Sequence, residues 1–212
     1  MPTVYLDASR DALTLGLRTA DSLYRYESIE GRHDNVLLPT LDRLITESGY
    51  QPTDLSHWVV VNGPGSFTGL RIAVSCVHAV DAVSPCQVLP IDSLSLLAAN
   101  AEKESDEAVI DARMDEVYVG RDMDSQGMFQ TIDIIPKNAL TPRATRVCLD
   151  SEMMVFAEMA SPITCRLDAL VRLADAQPKD AWIAGHQLTP RYVRNTVSWK
   201  PLSEQPSKLY DA

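Results

Sequence analysis

Positive charge is in short supply in this chain. Its 212 residues carry 19 Lys and Arg against 29 Asp and Glu, a formal net charge of −10. Binding to nucleic acid relies on Lys and Arg displacing counterions from phosphates, so the balance opposes a general nucleic-acid binder. If RNA is the final substrate, a partner or a local basic patch must hold it. The same acidity argues against docking on an anionic membrane. Cysteine is scarce as well: Cys76, Cys86, Cys148 and Cys165 are the whole set. No two of them stand in a C-x-x-C pair, which excludes that redox or zinc signature. Cys76 and Cys86 lie among valines, as reduced buried thiols do, and imply a reducing compartment. No apolar run of about 18 residues is present, so no membrane span is expected. No basic segment precedes a long apolar run at the start, so no signal peptide is expected, and the chain reads as cytoplasmic.

Catalytic signatures are missing too. The histidines are His33, His57, His78 and His186. None pairs with another at i, i+4, no H-E-x-x-H occurs, and no nucleophile elbow surrounds a serine or cysteine. No metal site is expected.

A globular pattern is what remains. With 45% hydrophobic and 23% charged residues, a chain of this length buries roughly two-thirds of its unfolded surface without a staple. Three short β-patterned runs, 3–6, 12–18 and 21–27, are separated by turn-prone residues and predict an antiparallel meander. Leu37, Leu38, Leu41, Leu44 and Ile45 recur at helical spacing over 34–48, and Gly49 is a natural stop. Trp58-Val59-Val60-Val61 predicts a strand buried on both faces. Ser66 is placed to cap a second helix reaching Val83. A strand over 87–91 and a helix from Ser93 to Ala101 complete the first half. The charged run 102–107 predicts a boundary between two lobes, 1–101 and a smaller 102–212. The second half reads as strands at 108–110, 117–119 and 131–135, with helices at 151–160 and 167–176 and a polar tail from Pro201. No internal repeat is visible.

Two segments invite function. In Gly63-Pro64-Gly65-Ser66-Phe67-Thr68-Gly69-Leu70-Arg71, glycines sit where a strand meets a helix start, an arrangement that presents backbone N–H groups to an anion. A plain strand-to-helix connection explains it equally well. In the helix that follows, Arg71, Ser75, His78 and Asp81 share one narrow stripe and nearly all the rest is apolar. Such a helix needs more than one neighbour to cover it. Its own sheet and the leucine-rich first helix cover part, and a third body is expected on the remainder.

The Gly63–Arg71 block, Arg32-His33 with Leu37-Leu38-Pro39, Ile110-Asp111-Ala112-Arg113-Met114 with Glu116-Val117-Tyr118, and Tyr192-Val193-Arg194-Asn195 through Trp199-Lys200 together resemble the bacterial TsaB family. The resemblance implies an α/β, actin-like ATPase (ribonuclease-H-like) fold in two lobes. It implies a non-catalytic subunit of the complex that forms threonylcarbamoyladenosine in tRNA, pairing with a TsaD-like catalytic paralogue and a TsaE-like ATPase. The chain alone is expected to form a homodimer, and tRNA to be met only through the complex. The paralogue's metal-binding histidines follow the strand matching Gln87–Ile91; here that stretch is Pro90-Ile91-Asp92-Ser93-Leu94-Ser95-Leu96, without histidine. The expected partner surface is His33, Leu37, Leu41, Leu44, Leu70, Arg71, Val74 and Val77. A nucleotide or phosphate site, with ATP or ADP at the partner interface, would fall on Asp7, Ser9, Gly63, Gly65, Ser66, Gly69, Asp111 and Arg113. The chain departs from the family at Ala8, Ala73, Ala79, His78 and Asp115; the last stands where glycine is common and disfavours a phosphate there. An ATPase or kinase of the actin-like superfamily, a peptidase and a purely homodimeric binding module are the competing readings.

Overall fold

The computed structural model describes residues 1–101, 105–156 and 159–194. Glu102–Glu104 of the expected boundary, the 195–200 part of the last resembling block and the tail from Pro201 lie outside the described residues.

Strands β1 (Thr3–Asp7), β2 (Leu13–Arg18) and β3 (Leu23–Ile29) form the predicted meander. Helix α1 (His33–Ser48) follows and ends at Gly49, whose φ of 73° supplies the left-handed cap. Strand β4 (His57–Gly63) and strand β5 (Gln87–Asp92) run parallel to β1, with helix α2 (Phe67–Val83) between them. The Ser66 hydroxyl caps α2 by accepting from the Gly69 N–H at 3.2 Å. Helix α3 (Ser93–Ala99) leads to a second sheet: β6 (Glu107–Arg113), β7 (Glu116–Met123), β8 (Phe129–Pro136), β9 (Arg146–Leu149), the single turn α4 (Met153–Phe156) and β10 (Ser161–Ile163). Helix α5 (Leu167–Asp175) and the two-residue β11 (Ile183–Ala184) return to the first sheet.

The two sheets repeat one plan. The first runs β3-β2-β1-β4-β5, with β11 added at its edge, and the second runs β8-β7-β6-β9-β10. In each, three antiparallel strands are followed by two parallel ones on the far side of the first. This is the expected α/β fold in two lobes. The repeat is topological and left no mark on the sequence.

Strand β4 shows how alternation builds the core. Trp58 and Val60 face α1 and α2, joining Val4, Leu6, Leu37, Leu44 and Val77. Val59 and Val61 face α5, joining Tyr5, Leu89, Leu167 and Leu170. Both faces are covered, as a continuous apolar strand requires. One face of the second sheet packs on Leu94 and Leu97 of α3, and the other on Phe156.

Three expectations are corrected here. The second lobe is not 102–212: α5 and β11 pack on the first sheet, so the first lobe is built from both ends of the chain. Of the helix expected over 151–160, the described residues form a 3-10 segment, Asp150–Glu152, and one short turn, Met153–Phe156, while 157 and 158 lie outside the described residues. Strands β9, β10 and β11 were not foreseen. Arg146 in β9 is buried against Glu107, so the strand lacks an apolar alternation. Pro162 sits in β10 at the sheet edge, where a missing N–H is tolerated. No helix among the described residues is long and apolar enough to cross a membrane.

Candidate docking groove and interlobe cleft

Helices α1 and α2 lie side by side and run the same way. Their starts meet at His33 and Gly69, where a Cβ on the glycine would stand 3.0 Å from the imidazole Nδ1. Past their far ends, the Ser84 hydroxyl reaches the Thr53 carbonyl at 3.5 Å. Between them opens a groove of about 760 Å³, walled by Leu38, Leu41, Ile72, Cys76, Ala79 and Val80. Leu38 is 62% exposed at one rim, Val83 81% at one end and Phe67 56% at the other. Exposed apolar surface gathered in one place marks an interaction site more often than a bare monomer surface.

Of the expected partner residues, His33, Leu37, Leu41 and Arg71 border this groove. Leu44, Leu70, Val74 and Val77 do not, and that expectation is corrected: Leu44, Val74 and Val77 are buried in the lobe's own core, and Leu70 is buried beside Gly63 at the end of β4. The reason lies in the helix pattern. Apolar residues at three- and four-residue spacing mark the arc facing the sheet first. The open arc of α2 is the second one, Ile72, Cys76, Ala79, Val80 and Val83, and small residues disguise it. His33 is buried, and its Nε2 has no hydrogen-bond partner among the described residues.

The polar stripe of α2 is not bare either. His78 Nε2 meets the Leu188 carbonyl at 2.9 Å, and Asp81 accepts from the Cys86 N–H at 2.9 Å and the His186 N–H at 3.1 Å. Arg71 Nε donates to the Tyr192 hydroxyl at 2.9 Å. Thus the stripe docks the returning segment 185–192. Nothing in the local pattern announced a partner more than 100 residues away.

Facing the start of α2, a cleft of about 580 Å³ separates the lobes. Ser9, Gly65 and Ser66 line it from the first lobe, and Asp111, Arg113 and Glu152 from the second. The glycines answer to packing here. A Cβ on Gly65 would fall 2.2 Å from the Ser9 carbonyl oxygen, and one on Gly69 would fall 1.9 Å from that of Ala8. Gly63, with φ +119°, lies against the Arg191 carbonyl. The Ser66 N–H, expected to be free for an anion, donates to the Ser9 carbonyl at 2.7 Å. Asp7 is buried and spends its carboxylate on the Ser9 N–H at 2.9 Å, the Ser9 hydroxyl at 2.6 Å and Arg10. Arg10 is committed to Asp7, and Arg113 to Asp111 at 3.3 Å. Asp11, Asp111, Asp150 and Glu152 face the same space. The lining thus sets four acidic side chains against two arginines that are already paired; Ser9, Gly65, Ser66, Asp111 and Arg113 of the expected phosphate residues meet there, and Asp7, Gly63 and Gly69 do not line it. Gly69→Ala is expected to cost about 1–3 kcal/mol, since its methyl must displace backbone; a urea unfolding curve checks it.

Glu152 lies in the cleft lining beside Asp111. Burial pushes its carboxyl up to about 7, and the Asp111 N–H, donating at 3.0 Å, offsets this only in part. Because the folded-state value is raised, the folded protein binds more protons than the unfolded chain between about 4.5 and 7. Stability from this group is therefore present at low pH and lost as pH rises through 7. Glu152→Gln is expected to melt with wild type at pH 5 and above it at pH 8. Equal melting points at both values would contradict the assignment.

No three His, Cys, Asp or Glu side chains among the described residues gather as a metal would need. Asp92 instead caps α3 through the Ser95 N–H at 2.8 Å. Burial raises all four thiols, Cys86 to about 12 and the others to about 11. None is poised as a thiolate nucleophile.

The fold and groove define a two-lobed α/β protein with an open pair of apolar helices. By a match over residues 27–187 to the family model described as TsaD: tRNA N6-adenosine threonylcarbamoyltransferase, and by full-length likeness to TsaB proteins, the chain belongs to the TsaB family. It is 25% identical over 226 residues to the tRNA threonylcarbamoyladenosine biosynthesis protein TsaB of Haemophilus influenzae, covering 93% of this chain and 95% of that one. The Escherichia coli TsaB is 24% identical, with 95% and 98% covered. A crystal structure from Pseudomonas aeruginosa, described as an uncharacterized protein with similarity to peptidase YEAZ, superposes with a TM-score of 0.74 at 26% identity, over 91% of this chain and 99% of that one.

Proposed function

We propose that the chain is a non-catalytic subunit of the complex forming threonylcarbamoyladenosine in tRNA, and that the α1–α2 groove docks a TsaD-like catalytic paralogue. The observation carrying this reading is the exposed apolar groove in a member of a tRNA-modification family. Two helices with small residues between them accept two more as a four-helix interface. The same face serves a homodimer when the paralogue is absent, and a TsaE-like ATPase completes the assembly.

The remaining features agree with an accessory role. The glycine-rich joint is filled by the chain's own backbone, and the cleft cations are paired with carboxylates. At −10 the chain gains little from counterion release, so tRNA is held by the partners. Mixing the purified chain with the TsaD-like paralogue of its own host tests the reading: an equimolar complex on size exclusion is expected. ATP hydrolysis by the chain alone, lost on Asp7→Ala, would overturn the non-catalytic assignment.

On the same grounds the free chain is expected to bind tRNA only weakly at physiological salt. A filter-binding titration showing submicromolar affinity would contradict this.

A further inference from the structure

Thr189–Arg194 runs from the first lobe to the second and is held at three places. At the end of β4, the Asn62 amide donates to the Thr189 carbonyl at 3.2 Å, and the Arg191 N–H donates to the Asn62 carbonyl at 2.7 Å. At the start of α2, the Tyr192 ring lies 5.6 Å from that of Phe67, and its hydroxyl accepts from Arg71, whose guanidinium sits 3.8 Å over Phe67. On the second lobe, Arg194 grips the β6–β7 turn. It donates to the Ala112 carbonyl at 3.1 Å, lies 2.9 Å from the Met114 sulfur, and pairs with Glu116.

We propose that this segment is a strap coupling the spacing of the lobes to the shape of the docking groove. Phe67 is the shared part, since it lines both the cleft and the groove. Two residues of extended chain reach at most about 7 Å, so Tyr192 and Arg194 cannot separate far. When the lobes part, either Arg194 releases the turn or Tyr192 leaves Phe67. In the strapped state Phe67 and Arg71 are held in one arrangement at the groove's end. A partner then meets an ordered surface and loses less freedom on docking. By linkage, an occupant of the groove holds the lobes at the strapped spacing.

The turn that Arg194 grips is strained. Arg113, Met114 and Asp115 all have positive φ, 64°, 57° and 58°, in a region that side chains other than glycine seldom adopt. Contacts outside the turn must hold it, and Arg194 supplies three.

The test has two arms. In the free chain, Arg194→Ala should speed amide exchange at Gly69, Leu70 and Arg71, none of which it touches, with the melting point recorded alongside. In the second arm, which rests on the proposed docking role, Arg194→Ala and Tyr192→Ala should each weaken binding of the paralogue about fivefold or more. The double variant should bind no worse than the weaker single one, because both cut one link. Unchanged exchange at 69–71, or single-variant losses that multiply in the double variant, would overturn the strap. Failure of the wild-type chain to bind the paralogue would sink the proposed function instead, and the exchange arm would still decide on the strap.

Discussion

Leu38→Glu and Ala79→Glu are each expected to weaken binding of the TsaD-like paralogue at least a hundredfold while leaving the free chain folded. Both side chains are exposed on the groove and support little of the core. A carboxylate buried there on docking loses its water without gaining a partner, at a cost of several kcal/mol. Each 1.4 kcal/mol is a factor of ten in affinity. Val74→Glu should behave differently. Val74 is 7% exposed and packs in the lobe's own core, so that change should unfold the chain rather than test the interface. Titration calorimetry with parallel melting curves separates the two classes.

Arg146→Met is expected to destabilise the second lobe by about 3–5 kcal/mol. Arg146 and Glu107 face each other on the parallel strands β9 and β6, and both are buried. The arginine also donates to the Met159 carbonyl at 3.1 Å. Removing it leaves a buried carboxylate whose remaining partners, Arg121 at 3.0 Å and Arg143 at 3.5 Å, approach from more exposed positions. Replacing both members by methionine should recover much of the loss, because no charge is then stranded. Urea unfolding of the three variants measures it. Equal destabilisation by the single and double variants would refute the pairing argument.

Much of the first lobe was legible in the sequence because its signals are local. The meander, the stop at Gly49, the Ser66 cap and the doubly buried strand β4 each depend on a few neighbouring residues. The second lobe resisted reading where its strands are short or carry an ion pair, as at Arg146. Its true boundary depends on α5 returning to the first sheet, a long-range event that no window of residues contains. The site was half legible. Leucine spacing located the helix pair but favoured the arc facing the sheet, because burial in the lobe and burial by a partner leave the same apolar pattern. The glycine block was conspicuous for a reason other than the anion it suggested: Gly65 and Gly69 admit backbone carbonyls of the first loop. Apart from Cys86, the partners of the α2 stripe lie beyond residue 184 and gave no local signal.

In the proposed function, the groove between α1 and α2 receives the paralogue. Photocrosslinking from single positions tests it most directly, with benzoylphenylalanine placed at Leu38 or Val83 on the groove, or at Gln130 on the exposed side of β8 in the other lobe. Crosslinks to the paralogue are expected from 38 and 83 and none from 130. Crosslinks from 130 with none from 38 or 83 would contradict it.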